Sequence, residues 1–155
     1  MTYLETQNLT SEEKQAVFEL WNKEYPKNLS YNDLTEFDNY LNNLEEKHHV
    51  LVKDVEERIV GWYANFFRNN EIWFAMILNS CIHGKGIGSD LLRIAKNRNN
   101  NLNGWVIDHK LNLKANGSIY KSPLEFYMKN GFQLYPEIRL ESPLISAVKI
   151  SWSRT

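Results

Sequence analysis

The chain has 155 residues, 43% of them hydrophobic and 24% charged, with a net charge of -1. That length fills one core of ordinary domain size and excludes two independent catalytic domains, so residues 1–155 are expected to form a single domain. Its one cysteine, Cys81, excludes an intramolecular disulfide framework, and its longest apolar run, Ile72 to Leu78, is far short of the roughly 20 residues that cross a bilayer as a helix.

Met1 to Leu9 lacks the basic start and apolar run of a signal peptide, so a cytoplasmic location without a membrane partner is the expectation. The small net charge hides an asymmetry. Residues 1–57 carry 13 acids and 5 bases, whereas residues 58–155 carry 6 acids and 13 bases. Each part suits a ligand of opposite sign, or is simply a solvated face. The bases are scattered and no nucleic-acid-binding motif accompanies them, so no nucleic acid partner is expected.

Tyr3 to Leu9 alternates weakly and predicts a first strand. Thr10 or Ser11 then caps a helix whose first turn, with Glu12 and Glu13, suits the positive end of the dipole, and Pro26 ends it. Val17, Phe18, Leu20 and Trp21 recur at helical spacing and predict packing on a sheet. Ser30 is the expected cap of a second helix carrying Leu34, Phe37, Tyr40, Leu41 and Leu44 on one face, with Asp33, Glu36 and Asp38 elsewhere. From His49 the period becomes two: Val50 to Lys53, a turn at Asp54 to Glu57, and Arg58 to Arg68 as antiparallel partner.

Asn69 and Asn70 make the next hairpin turn, because asparagine tolerates positive φ. Glu71 to Leu78 is apolar on both faces, as a central strand between two helix layers should be. A helix from Gly86 to about Asn97 follows, then an asparagine-rich loop over Asn99 to Asn103 and a strand from Gly104 to Asp108. After a long connection Pro123 opens a helix through Lys129, which Gly131 ends. Phe132 to Leu134 and Ala147 to Trp152 are the closing strands. The order describes an α/β fold: a mixed sheet flanked by helices.

His83-Gly84-Lys85-Gly86-Ile87-Gly88-Ser89 stands where the central strand hands over to a helix. Unpaired N–H groups and the positive helix end point the same way there, which suits a diphosphate. Glycines at 84, 86 and 88 leave room for phosphates, and Lys85 adds charge. A Walker A loop fails, since Gly86 follows Lys85 and position 79 is asparagine. A dinucleotide fingerprint gains from Asp108, 20 residues after Gly88, but the spacing is G-x-G-x-G, and the 47 residues after Asp108 are too few to finish a doubly wound sheet.

Downstream, Glu125 to Phe132 ends in tyrosine, three residues, then Gly131-Phe132. With the glycine loop and the element order, this segment makes the chain resemble the GCN5-related N-acetyltransferases, the GNAT superfamily, most closely from Val50 to Phe132. The resemblance implies a mainly antiparallel central sheet in a single domain, acetyl-CoA as co-substrate, no metal, and an amine acceptor. His83 departs from the family's Gln or Arg at a position that acts largely through its backbone.

By resemblance Met76, Ile77 and Leu78 offer a backbone edge to the pantetheine, the segment from His83 to Ser89 holds the pyrophosphate, and Tyr127 protonates the departing thiolate. Tyr120 stands where many members carry asparagine and joins the cofactor set; a core aromatic is the competing role of Tyr127. Asp108, at the strand end, is the first choice for general base, with a strand-end cap as its competing role. The stretch from His109 to Ser122, with Lys110, Lys114 and Asn116, is expected to be a lid or specificity loop, or simply a flexible one.

In the family the first two helices shape the acceptor pocket, so by resemblance their acidic excess here implies a small or peptidic cationic amine, with Asp33, Glu36 and Asp38 as contributors. His48-His49 lacks partners at metal-ligand spacing, Cys81 reads as a packed thiol, Glu71 as a surface residue, and Trp62 and Trp105 as core. An acyl-CoA-binding module without turnover and a dinucleotide-dependent enzyme remain the alternatives, and assembly as a homodimer is left open.

Overall fold

The computed structural model describes every residue from Met1 to Thr155. In chain order the elements are β1 (Thr2–Thr6), α1 (Ser11–Glu24), α2 (Leu34–Asn42), β2 (Glu45–Lys53), β3 (Ile59–Arg68), β4 (Glu71–Leu78), α3 (Ile87–Arg98), β5 (Asn101–Val106), α4 (Leu124–Lys129), β6 (Gln133–Glu141) and β7 (Ser146–Ser153). Short 3-10 turns at Lys27–Leu29 and Ser80–Ile82 join them. No helix is long and apolar enough to cross a membrane.

Local chemistry sets the boundaries. Thr10 and Glu13 form a reciprocal capping box, the Thr10 hydroxyl accepting the Glu13 N–H and the Glu13 carboxylate accepting the Thr10 N–H, and α1 stops before Pro26. The second cap is Asp33 rather than Ser30: its carboxylate accepts the Glu36 N–H, while Ser30 closes the 3-10 turn before it. A carboxylate at the helix start also meets the positive dipole end, an advantage a serine lacks. Asn69 and Asn70 turn the β3–β4 hairpin at φ of 53° and 62°.

The strands form one sheet in the order β1-β2-β3-β4-β5-β7-β6, antiparallel everywhere except between β4 and β5. That parallel pair touches at a single register point, Trp73 opposite Asn103. The expected loop at Asn99 to Asn103 is strand from Asn101 onward. Its side-chain amides do ladder work: the Asn101 Oδ1 accepts the Ile72 N–H at 3.0 Å, and the Asn103 Nδ2 donates to the Ile72 carbonyl at 3.1 Å. Asparagine propensity misreads these positions because a side-chain amide here stands in for a peptide. β6 also outruns its expected end at Leu134, with a register break between Tyr135 and Arg139 around Pro136, a residue that edge strands tolerate.

Two cores lie on opposite faces of the sheet. Phe74, Leu91, Leu92, Leu102, Val106 and Tyr127 pack on the α3 and α4 side, and Val17, Trp21, Phe37, Trp62, Trp73 and Ile77 on the α1 and α2 side. Strand β4 feeds both by alternation, so its two faces stay distinct up to the point where β5 departs.

Candidate active site

From Gly84 to Ser89 no backbone N–H finds a partner within the chain; the first helical bond is Asp90 N–H to the Gly86 carbonyl at 3.1 Å. Six consecutive free donors therefore meet the start of the 12-residue α3. Gly84 and Gly86 make this possible with φ of 77° and 80°, a backbone that β-carbon-bearing residues resist. Gly88 has a different task from the one expected. A Cβ there would lie 2.7 Å from the Phe126 ring, so the missing side chain lets α3 approach α4 rather than leaving room for phosphate. The His83 ring folds back, its Nε2 lying 3.0 Å from the Leu78 carbonyl, which fastens the loop to the end of β4.

Beyond Trp73 and Asn103 the strands β4 and β5 part. Alternation from the Asn79 N–H to Val60 carbonyl bond sends the backbone groups of Ile77 toward β3, and those of Phe74, Met76 and Leu78 toward the gap. Leu78 gives its carbonyl to His83, which leaves Met76 as the open peptide of the expected trio and removes Ile77 from it.

A cavity of about 270 Å³ fills the gap. It is lined by Phe74, Met76 and Tyr127 from the α3 and α4 face and by Trp21, Trp73 and Trp105 from the other. A single space touching both faces of a sheet passes through it. Gly104 keeps the passage open, because a Cβ there would meet the Phe74 ring at 3.0 Å. Trp73 and Trp105 stack across the parting strands with centroids 5.2 Å apart.

Tyr127 is buried against Phe74 and Phe132 and lines this passage, and burial drives its phenol far above the ordinary range. Tyr120 joins it on the cavity wall, pushed up to about 12 by burial, and packs edge-on against Tyr25. These phenols hold their protons throughout the physiological range. No carboxylate and no imidazole lines the cavity.

Asp108 lies outside this cavity lining. Arg139 grips both its oxygens at 2.9 and 3.0 Å, and that hydrogen bonding holds the carboxyl below its usual range. A carboxylate so held is a weak base, which weighs against the base role expected of Asp108 and toward its competing role at the strand end. The acids expected at the acceptor are elsewhere too: Asp33 and Glu36 are spent on capping α2, and Asp38 meets Lys14 at 2.5 Å. Cys81 is exposed rather than packed.

The connection from His109 to Ser122 is tied down. Leu113 and Ile119 form a small bridge, the Lys27 N–H donates to the Leu113 carbonyl, and Lys114 meets the buried Glu24 at 2.7 Å. Glu24 also accepts the Ser80 N–H, so one carboxylate joins α1, this connection and the strand outlet. Sequence reading missed the cavity wall formed by Tyr25, Tyr40, Arg68, Trp73 and Gly104. Their signal was only alternation and helical spacing, which cannot separate a core wall from a cavity wall.

A profile of the acetyltransferase (GNAT) domain matches residues 46–134. No curated protein sequence matches the chain. Among solved structures, an aminoglycoside 6'-N-acetyltransferase complexed with coenzyme A is similar in fold at a TM-score of 0.71 and 15% identity, covering 99% of this chain and 97% of that one. A phosphinothricin acetyltransferase from Sinorhizobium meliloti in complex with acetyl-CoA gives 0.70 and 13%, covering 99% and 89%. A spermidine N-acetyltransferase from Vibrio cholerae gives 0.65 and 14%, covering 99% and 95%.

Proposed function

The chain belongs to the GNAT acetyltransferase domain family, and from that membership we propose that it moves the acetyl group of acetyl-CoA to an amine held in the passage between β4 and β5. One observation carries the reading: a single cavity crosses the sheet at Met76, on the strand that runs on into the loop of six unpaired N–H donors. The donors from Gly84 to Ser89, with Lys85, hold the pyrophosphate, and the open Met76 peptide aligns the pantetheine so that the thioester enters from the α3 and α4 side. The amine enters from the α1 and α2 side.

The neutral nitrogen attacks the thioester carbonyl carbon, the C–S bond breaks, and the leaving sulfur takes the proton of the Tyr127 hydroxyl. The proton released by nitrogen restores the phenol, so the step balances as amide plus thiol. Burial keeps the Tyr127 phenol protonated, so a residue that lines the cavity has a proton to give. With no carboxylate or imidazole in the lining, the acceptor loses its first proton to water before it attacks. Asp33, Glu36 and Asp38 serve caps and a surface pair, so they supply no preference for a cationic acceptor. Asp108, held by Arg139, is likewise a poor ribose ligand, which counts against the dinucleotide reading.

Thermal-shift measurement with acetyl-CoA and NADH, followed by thiol release over a broad amine panel, tests the proposal. Acetyl-CoA at 100 times its dissociation constant should stabilise the fold by about 2.7 kcal/mol. Stronger stabilisation by NADH would overturn the cofactor, and acetyl-CoA binding without thiol release from any amine would reassign the chain as a silent binding module.

A further inference from the structure

The acceptor end of the passage carries one full charge, and that charge is positive. Arg68 is the sole ionised residue in the lining. The other five guanidinium groups of the chain are engaged: Arg58 by Asp54, Arg93 by Asp90, Arg98 by Glu5, Arg139 by Asp108, and Arg154 by the Asn99 carbonyl. Arg68 has only the Phe66 ring beneath it, at 4.8 Å. Phe66 is in register with Trp73, so the side chain has folded back from the hairpin tip to the level of Trp73, where the passage begins.

Two polar groups that share the lining with it offer donors as well, while Glu71, opposite Arg68 in the hairpin, lies outside the lining and meets Lys149 at 3.4 Å. The Trp73 indole N–H is buried without an acceptor. Tyr40, close enough to feel the Arg68 charge, is kept protonated by burial. Arg68 is exposed at the mouth and Trp73 is buried behind it, so the pair offers an anion a solvated guanidinium and one buried donor without an acceptor. Two to three residues of β4 separate Trp73 from the Ala75 and Met76 level where the thioester lies, which is about 7–10 Å at a strand's rise.

Resting on the acetyl-transfer reading above, we propose that the acceptor is an elongated amino-carboxylate. Its carboxylate sits about 7–10 Å from the reacting nitrogen, an apolar or aromatic body lies between, and Arg68 is the residue that selects it. A simple polyamine would bring a second cation against Arg68.

Three acceptors of nearly equal amine basicity test this: 4-(aminomethyl)benzoate, 4-(aminomethyl)benzamide and 4-(aminomethyl)benzylamine. With the wild-type chain, kcat/KM for the benzoate should exceed that for the benzamide about tenfold or more, the factor a charge-assisted hydrogen bond supplies. Arg68→Gln should collapse that ratio toward one, with the loss falling on KM for the benzoate rather than on kcat. Arg68→Glu should reverse the order in favour of the diamine. Equal use of benzoate and benzamide by the wild type, or a loss shared equally by all three acceptors in Arg68→Gln, overturns the proposal. Thiol release with other amines but with none of the three also overturns it while leaving acetyl transfer intact. Absence of acetyl-CoA binding removes the underlying reading itself.

Discussion

The two mouths of the passage are built from different materials. On the α3 and α4 side the surface proposed for acetyl-CoA is backbone, the six N–H groups from Gly84 to Ser89 and the open peptide at Met76. On the α1 and α2 side it is side chain, an aromatic wall drawn from α1, α2, β3, β4 and β5 with a lone guanidinium. A backbone site depends on conformation and tolerates changes in residue identity. A side-chain site depends on identity and can be respecified residue by residue, so in the proposed reading one mouth would fix a common donor and the other would choose its acceptor.

The largest test of that division falls at the boundary, on Tyr127. Tyr127→Phe should lower kcat by about 10²-fold or more, the contribution of a positioned general acid, while leaving the KM for acetyl-CoA within about twofold. Equal losses in binding and turnover would instead make the residue part of the backbone mouth's support. The next effect concerns the stability of the acceptor side. His49 is buried and accepts the Trp62 indole N–H at 3.0 Å, and its pKa is lowered to about 4 by burial and, less, by the charges of Lys47 and His48. Its folded pKa lies below the unfolded value of about 6.5, so stability is full above that value and is lost as pH falls from about 6.5 to about 4. Denaturant midpoints should drop across that window by the equivalent of about 3 kcal/mol, and His49→Gln should flatten the slope.

At the backbone mouth, Gly86→Val forces a β-branched residue to a φ of 80°. It should raise the KM for acetyl-CoA about tenfold, in line with roughly 1–2 kcal/mol of left-handed strain, without changing the ranking of acceptors. A change in acceptor ranking would break the separation of the two mouths. The smallest effect belongs to Asp108. Asp108→Asn removes a partly exposed ion pair worth about 0.2–1 kcal/mol and should leave the pH–rate profile following the acceptor's own amine titration. Loss of an ascending limb in that variant would return Asp108 to the role of base.

The same difference explains what could be read from the sequence. Gly84, Lys85, Gly86 and the Tyr127 to Phe132 spacing are local patterns, and the family profile spans both. The element order was legible for the same reason, since alternation, caps and glycines act over a few residues. The acceptor wall was not. Tyr25, Arg68, Trp73 and Gly104 meet only after the sheet forms, and each looks like an ordinary core or surface residue in isolation. Asp33, Glu36 and Asp38 misled because net charge ignores which acids are already committed to helix starts and pairs.

Beside the Trp73 and Asn103 bridge, just before β4 and β5 separate, two amides, Asn101 and Asn103, clasp the N–H and the carbonyl of one residue, Ile72. The fork in the sheet is thus a stitch rather than a property of the strands. Moving the stitch one pair along would lengthen or shorten the opening while every element kept its place, which gives this architecture a way to change the reach of its acceptor without relearning how to fold.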